Sequence, residues 1–276
     1  MLLMTERERK IKVGLGEHHS FITKQYPEKE FIGTFVQGSQ NYLLDYEDSD
    51  IDTRSIVIPT VKEIVYATDP ISTVKIMDND EHCDVKDVRH FFKILKKCNI
   101  QFAEILFTEY SIINQRYKDL WDALVEKREE IARYNEYALI SAIQGMAMEK
   151  YHSLEHPYPS IVDKIEKYGY DPKQLHHLFR LYLVLLKYIK GASFKECLIL
   201  PESERKELIE IKRGKYALYA AREMANEYMS QIDFEANRYK RLHGKYTDDK
   251  VEQFLDEICY EMVKRGIEFE LFKERR

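Results

Sequence analysis

Two aspartates, Asp50 and Asp52, stand either side of Ile51 in the stretch GSQNYLLDYEDSDIDTR, residues 38–54. If this stretch is a β-strand, side chains alternate, so both carboxylates share a face while Ile51 enters the core. Carboxylates that close repel each other unless a positive charge sits between them. Magnesium is the natural remedy, because hard cations prefer carboxylate oxygen. A pair of solvated strand-edge aspartates is the competing reading, since D-x-D arises often by chance. Gly38 and Ser39 add weight to the metal. A glycine at a strand end lets backbone approach an anion, and the serine after it offers an N–H and a hydroxyl to phosphate. No lysine follows in the G-x-x-x-x-G-K-[ST] spacing, so the turn is not a P-loop. A plain strand-to-helix turn is the alternative.

These residues need elements to hold them. Phe31–Gln37 is aromatic and β-branched and stops at Gly38, which predicts a strand. Ile51–Ile58 predicts a second, stopped by Pro59, and Thr60 is placed to cap a short helix through Val65. Ile71–Met77 and Glu81–Lys86 predict two more strands. Asp87 then caps a helix to about Lys97, with Val88, Phe91, Phe92 and Leu95 at helical spacing. Beyond residue 100 no strand is expected. Helical periodicity runs through Phe102–Thr108, Lys118–Glu149, Ser160–Tyr168, Pro172–Lys190, Glu204–Lys212, Lys215–Gln231 and Asp248–Arg265. The expected fold is therefore α+β. A small mixed-sheet domain over residues 1–115 precedes an all-helical domain over 116–276.

The whole chain agrees with a globular enzyme or binding protein. It has 276 residues, 44% hydrophobic and 33% charged, which excludes disorder. No apolar run approaches a membrane span and the N-terminus is charged early, so no membrane partner and a cytoplasmic location are expected. Cys83, Cys98, Cys197 and Cys259 are scattered, which argues against disulfides and thiolate zinc and for buried apolar roles. Net charge is −5 but uneven. Residues 1–110 carry 14 basic and 19 acidic side chains, and residues 160–250 carry 18 and 14. The basic part could face a polyanion, although solvated surface accounts for it equally simply.

Gly38-Ser39, then Asp50-Ile51-Asp52, resembles the signature of the polymerase-beta-type nucleotidyltransferases. The blocks GSQNYLLDYEDSDIDTRSIVIPT, DVKDVRHFFKILKKCNIQFAEILFT and KYGYDPKQLHHLFRLYL resemble the bacterial and phage branch associated with RNA repair. Leu43 departs from the pattern, which has glycine after Tyr42. The resemblance implies a palm-like first domain and a third carboxylate on a later strand, for which Asp84 is the candidate. It also implies two Mg2+ or Mn2+ ions, about 3.5–4 Å apart, that bind the triphosphate and activate an acceptor hydroxyl. Asp50 and Asp52 would bridge both ions, Asp84 would hold one, and Gly38 and Ser39 would hold phosphates. Arg54, on the strand face of Asp52, would neutralise phosphate or pair with Asp52. The implied substrates are an NTP or dNTP and a nucleic-acid 3′ end, with oligonucleotide synthesis or protein modification in phage defence as alternatives. A catalytically degenerate nucleic-acid-binding relative is the non-enzymatic rival.

Residues 173–188, KQLHHLFRLYLVLLKY, form an amphipathic helix. Leu175, Leu178, Phe179, Tyr182, Leu186 and Ile189 fall on one side, and Lys173, His176, His177, Arg180 and Lys187 largely on the other. Because the helix resembles a later block of that family, Lys173, His177 and Arg180 are candidate nucleotide contacts. His18-His19 has no clustered partner and is assigned to the surface. Arg238 and His243 loosely fit the R-x4-6-H pattern of helical ribonuclease toxins, a weaker alternative.

Overall fold

The computed structural model describes residues 4–47 and 49–274. It forms two compact units. The first takes the chain up to Asn41, then Asp45–Tyr134, then everything from Asp248; the second takes Tyr42–Leu44 and Asn135–Thr247.

The first unit opens with helix α1 (Glu6–Gln25), started by a capping box in which Thr5 and Glu8 satisfy each other's backbone N–H. Strand β1 (Phe31–Gln37) leads through Gly38 into a short helix α2 (Ser39–Tyr42). Strand β2 (Asp52–Val57) and helix α3 (Val61–Val65) follow, and Thr60 and Glu63 build a second capping box. Strands β3 (Ser72–Ile76) and β4 (His82–Asp87) run into α4 (Val88–Leu95), where the Asp87 side chain accepts from Arg89 N–H. After α5 (Ile100–Ala103) comes β5 (Ser111–Ile113). The sheet order is β3-β4-β2-β1-β5, with β2 and β4 parallel and the other pairs antiparallel.

Both sheet faces are covered. On one, Ile11 and Leu15 of α1 pack on Val36, and Ile22 packs with Val57 and Val85. On the other, Phe35 stacks at 4.1 Å on Trp121 of α6 (Lys118–Glu126), and Phe91 packs against Trp121 and Phe102. Helix α7 (Arg128–Arg133) ends the middle segment of this unit.

The second unit is helical: α8 (Glu136–His152), α9 (Val162–Tyr168), α10 (Pro172–Ile189), α11 (Phe194–Leu198), α12 (Glu202–Lys212) and α13 (Leu218–His243). Helix α10 is its centre, packed by α8, α11, α12 and α13. The last helix, α14 (Asp249–Glu274), lies in the first unit against α4, with Lys96 bonded to Asp256 at 2.7 Å. Gly266 permits a close approach there, since a Cβ would lie 2.3 Å from Ile58 Cγ2.

The fold is α+β, as the sequence indicates. The strands fall within a residue of their expected bounds up to β4. Several features differ, among them the short helix α11, which the expected helices do not include. Helix α1 was not anticipated. Strand β5 lies beyond residue 100, where only helices were expected; its three residues are too short for an alternation signal. The periodic stretch from Lys118 to Glu149 breaks at Lys127 and at Asn135, whose side chain caps α8 by accepting from Ala138 N–H at 2.9 Å. The units also divide at Asn135 and Asp248 and not at a single boundary near residue 115.

Among the described residues no helix is long and apolar enough to cross a membrane. Among the described residues no disulfide forms at Cys83, Cys98, Cys197 or Cys259. Burial pushes the Cys83 thiol up to about 11 and Cys98 up to about 12, so both stay protonated and shielded at neutral pH. At pH 8 neither should react with an aromatic disulfide reagent until the chain unfolds. Prompt native labelling of either, mapped by mass spectrometry, would contradict this packing.

Candidate functional site

The turn after β1 is built around Gly38, whose φ of +79° is the left-handed region open to glycine. Asn41 N–H closes the turn on Gly38 C=O at 3.0 Å. Gly38 N–H donates to Glu104 Oε1 at 3.2 Å, and Glu104 is buried. That N–H is therefore committed within the fold. Ser39, the first residue of α2, is partly exposed, and its hydroxyl has only a long contact of 3.4 Å to Gln40 Oε1.

Asp52 opens β2 opposite Gln37, which puts it beside this turn. Its Oδ2 lies 3.8 Å from the place a Cβ on Gly38 would occupy. The side chain is 38% exposed, and Oδ1 is 3.5 Å from His82 Nδ1. Asp50 precedes the strand in an exposed loop position. Ile51 between them is buried, as expected, and inserts where α1 has Gly14; a Cβ there would meet Ile51 Cδ1 at 2.4 Å.

The parallel register sets Arg54 opposite Asp84. Alternation then places Asp52 and Arg54 of β2 on one face with His82, Asp84 and Lys86 of β4. Asp84 is only 6% exposed. Arg54 Nε donates to its Oδ2 at 2.8 Å, and Lys86 Nζ stands 2.7 Å from Oδ1 without hydrogen-bond alignment. Arg54 is itself buried, donates to Gln101 C=O at 2.6 Å, and lies 3.9 Å over the Phe102 ring. Desolvation pulls its pKa down, against the opposing pull of Asp84. Arg54 therefore pairs with Asp84, not with Asp52, and its burial removes it from phosphate contact.

The structure thus brings Gly38 and Asp52 together and sets Asp84 on the face of Asp52, one register step deeper. His82, which sequence reasoning passed over, is the direct neighbour of Asp52. Among the described residues, no three His, Cys, Asp or Glu side chains are gathered closely enough to hold a metal ion. The donors fit a hard divalent cation at Asp50 and Asp52, whose carboxylates are exposed or half-exposed oxygens. Asp84 is already neutralised by two cations.

His18 is a correction: the pair His18-His19 does not lie on the surface. His18 is fully buried, on the stripe Ile11, Leu15, His18, Ile22 that packs α1 on the sheet. The T-x-x-E capping box and this 3–4 spacing were the signals that could have found both the helix and the histidine.

In the second unit Asp171 caps α10 by accepting from Lys173 N–H at 3.0 Å, with Pro172 at the first helical position. The expected polar side is not a solvated stripe. Lys173 is exposed and His177 partly so, whereas His176 and Arg180 are buried. His176 Nδ1 donates to Leu208 C=O at 2.8 Å, and burial lowers its pKa to about 3. His177 is held well below its usual range by burial, reinforced by His176, Lys173, Arg180 and Lys150. The Arg180 guanidinium lies 3.5 Å over the Tyr42 ring. Arg238, on α13, pairs with Glu235 at 2.6 Å, and His243 stacks on Tyr239 with Nδ1 3.0 Å from the Tyr239 carbonyl.

No family model matches the sequence, and no curated protein matches it.

Two outcomes test this geometry. Arg54→Met should destabilise the fold by about 3–5 kcal/mol, the cost of stranding one member of a buried pair. Adding Asp84→Asn should recover much of that loss in denaturant unfolding. Leu43, 41% exposed with φ +58°, occupies the backbone region where the resembled pattern has glycine. Leu43→Gly should therefore raise stability by up to about 1 kcal/mol, because relief of left-handed strain exceeds the entropy cost of glycine. A clear loss of stability would show that the leucine side chain holds this turn.

Proposed function

We propose that the chain is a metal-dependent nucleotidyltransferase with a palm-like first unit. It would move a nucleoside monophosphate from an NTP or dNTP to a hydroxyl acceptor, a nucleic-acid 3′ end. The observation that carries the reading is the placement of Asp52 on the first residue of β2, beside a left-handed Gly38 turn that runs into Ser39 and a helix. That arrangement sets an oxygen donor for a cation next to backbone and hydroxyl donors for phosphate.

Asp50 and Asp52 would hold the divalent ions; Asp84, neutralised by Arg54 and Lys86, would serve as the third oxygen only if Lys86 gave up its unaligned contact with Oδ1. Magnesium or manganese bound there would supply Lewis-acid activation of the phosphoryl group and of the attacking hydroxyl. Ser39 would orient phosphate through its N–H and hydroxyl. Gly38 would contribute backbone shape, because Glu104 takes its N–H. Arg54 would act on Asp84 as a counter-ion and hold it in place. Of the three α10 candidates, Lys173 would offer positive charge to a polyphosphate or nucleic-acid backbone, His177 would offer a neutral imidazole, and Arg180, buried over Tyr42, would act only through its neighbours. The RNA-repair and phage-defence associations rest on the resemblance and are part of the proposal.

The test is incorporation of labelled NTPs and dNTPs with Mg2+ or Mn2+, with and without added RNA. Asp50→Ala with Asp52→Ala should reduce transfer at least a hundredfold, since charge stabilisation by the metals is worth several kcal/mol. The thermal midpoint should be unchanged. Full activity in that double variant would refute the assignment. Products formed from nucleotides alone would favour oligonucleotide synthesis over end repair.

A further inference from the structure

The peptide group joining Asp50 to Ile51 lies just outside the strand ladder, which begins at Asp52. Ile51 is buried, so the N–H and C=O of this peptide need partners that the sheet does not give. Side chains supply both. Gln40 Nε2 donates to Asp50 C=O, and Gln40 is itself buried. Ile51 N–H donates to Glu81 Oε1 at 2.8 Å. Glu81 is backed in turn: its Oε2 accepts from His18 Nε2 at 2.9 Å and from Asn79 Nδ2 at 2.8 Å. With Nε2 donating to Glu81, Nδ1 faces Thr53 Oγ1 at 3.0 Å and Cys83 Sγ at 3.2 Å.

We infer that Gln40 and Glu81 are positioning residues, a clamp on the two ends of the Asp50–Ile51 peptide that sets how the Asp50 and Asp52 carboxylates are presented to a cation. The inference rests on the metal reading of those two aspartates. Holding this peptide plane restrains ψ of Asp50 and φ of Ile51, which are among the backbone torsions that relate one carboxylate to the other. Insertion of the Ile51 side chain against Gly14 anchors the same residue from the third side. His18, Asn79, Gln40 and Glu81 touch neither carboxylate in the contacts described. They act through the backbone.

Two readouts test it, neither requiring turnover: exchange of the Ile51 amide hydrogen, and affinity for Mn2+ alone. Glu81→Ala should accelerate Ile51 exchange and weaken Mn2+ binding, each about tenfold, the factor for one lost buried hydrogen bond. Glu81→Gln should stay within about threefold on both, because the amide oxygen still accepts from Ile51 N–H. If Glu81→Ala does not fold, Gln40→Leu, which removes the donor at similar volume, should show the loss of Mn2+ affinity. Unchanged Mn2+ affinity in a folded Glu81→Ala or Gln40→Leu overturns the inference. So does unchanged Ile51 exchange in folded Glu81→Ala. A wild-type chain without Mn2+ affinity would instead sink the metal reading, with Ile51 exchange still deciding whether the clamp exists.

Discussion

The parallel pairing of β2 with β4 fixes what the rest of the first unit must solve. It places Asp84 beside Arg54 on a face that aromatic side chains close, and a lone carboxylate there would carry a heavy desolvation cost. Arg54 and Lys86 neutralise it, and Gln101 C=O and the Phe102 ring take up the remainder of the guanidinium. Polar chemistry is therefore confined to the sheet's end. There Asp52 and His82 stand half out of the protein, beside the Gly38 turn.

Local signals were legible in the sequence and long-range ones were not. Strands β1 and β2 and the capped helix α3 follow from alternation, Pro59 and the Thr60 hydroxyl, all read within a few residues. Burial of Ile51 between the two aspartates follows from the same alternation. The partner of Arg54 was out of reach, because strand order and register decide it: Asp84 of β4, and not Asp52 of its own strand, supplies the carboxylate. Gln40 and Glu81 carry no spacing signal at all. Their role exists only once the chain has folded the segment from Ser39 to Glu81 back on itself. The return of α14 to the first unit is a tertiary choice of the same kind.

Helix α10 shows how periodicity can misassign a face. Its apolar positions predict one buried side and one wet side, but α8, α11, α12 and α13 surround it, so a second side is covered as well. His176 and Arg180 fall on that side. Burial keeps the imidazole neutral while it donates to a backbone carbonyl, and the guanidinium rests on an aromatic ring. Burying such groups in a helical unit is costly unless each is matched. The exposed Lys173 and the partly exposed His177 are the members of the set left facing outward.

The Gly38 turn carries a charge problem of its own. Glu104 Oε1 is 3.2 Å from Gly38 N, and Asp52 Oδ2 is 3.8 Å from the position of a Cβ on Gly38. A polyphosphate approaching Ser39 alone would meet two carboxylates at close range, and Coulomb repulsion at such distances outweighs one or two hydrogen bonds wherever water is thin. The turn is thus poorly suited to a bare anion. Under the proposed function the anion would arrive with its cations, and a divalent ion held at Asp50 and Asp52 would turn the nearest repulsion into attraction. The aspartates and the glycine turn would then act as a single device, and binding of polyphosphate to the turn should depend on the divalent ion.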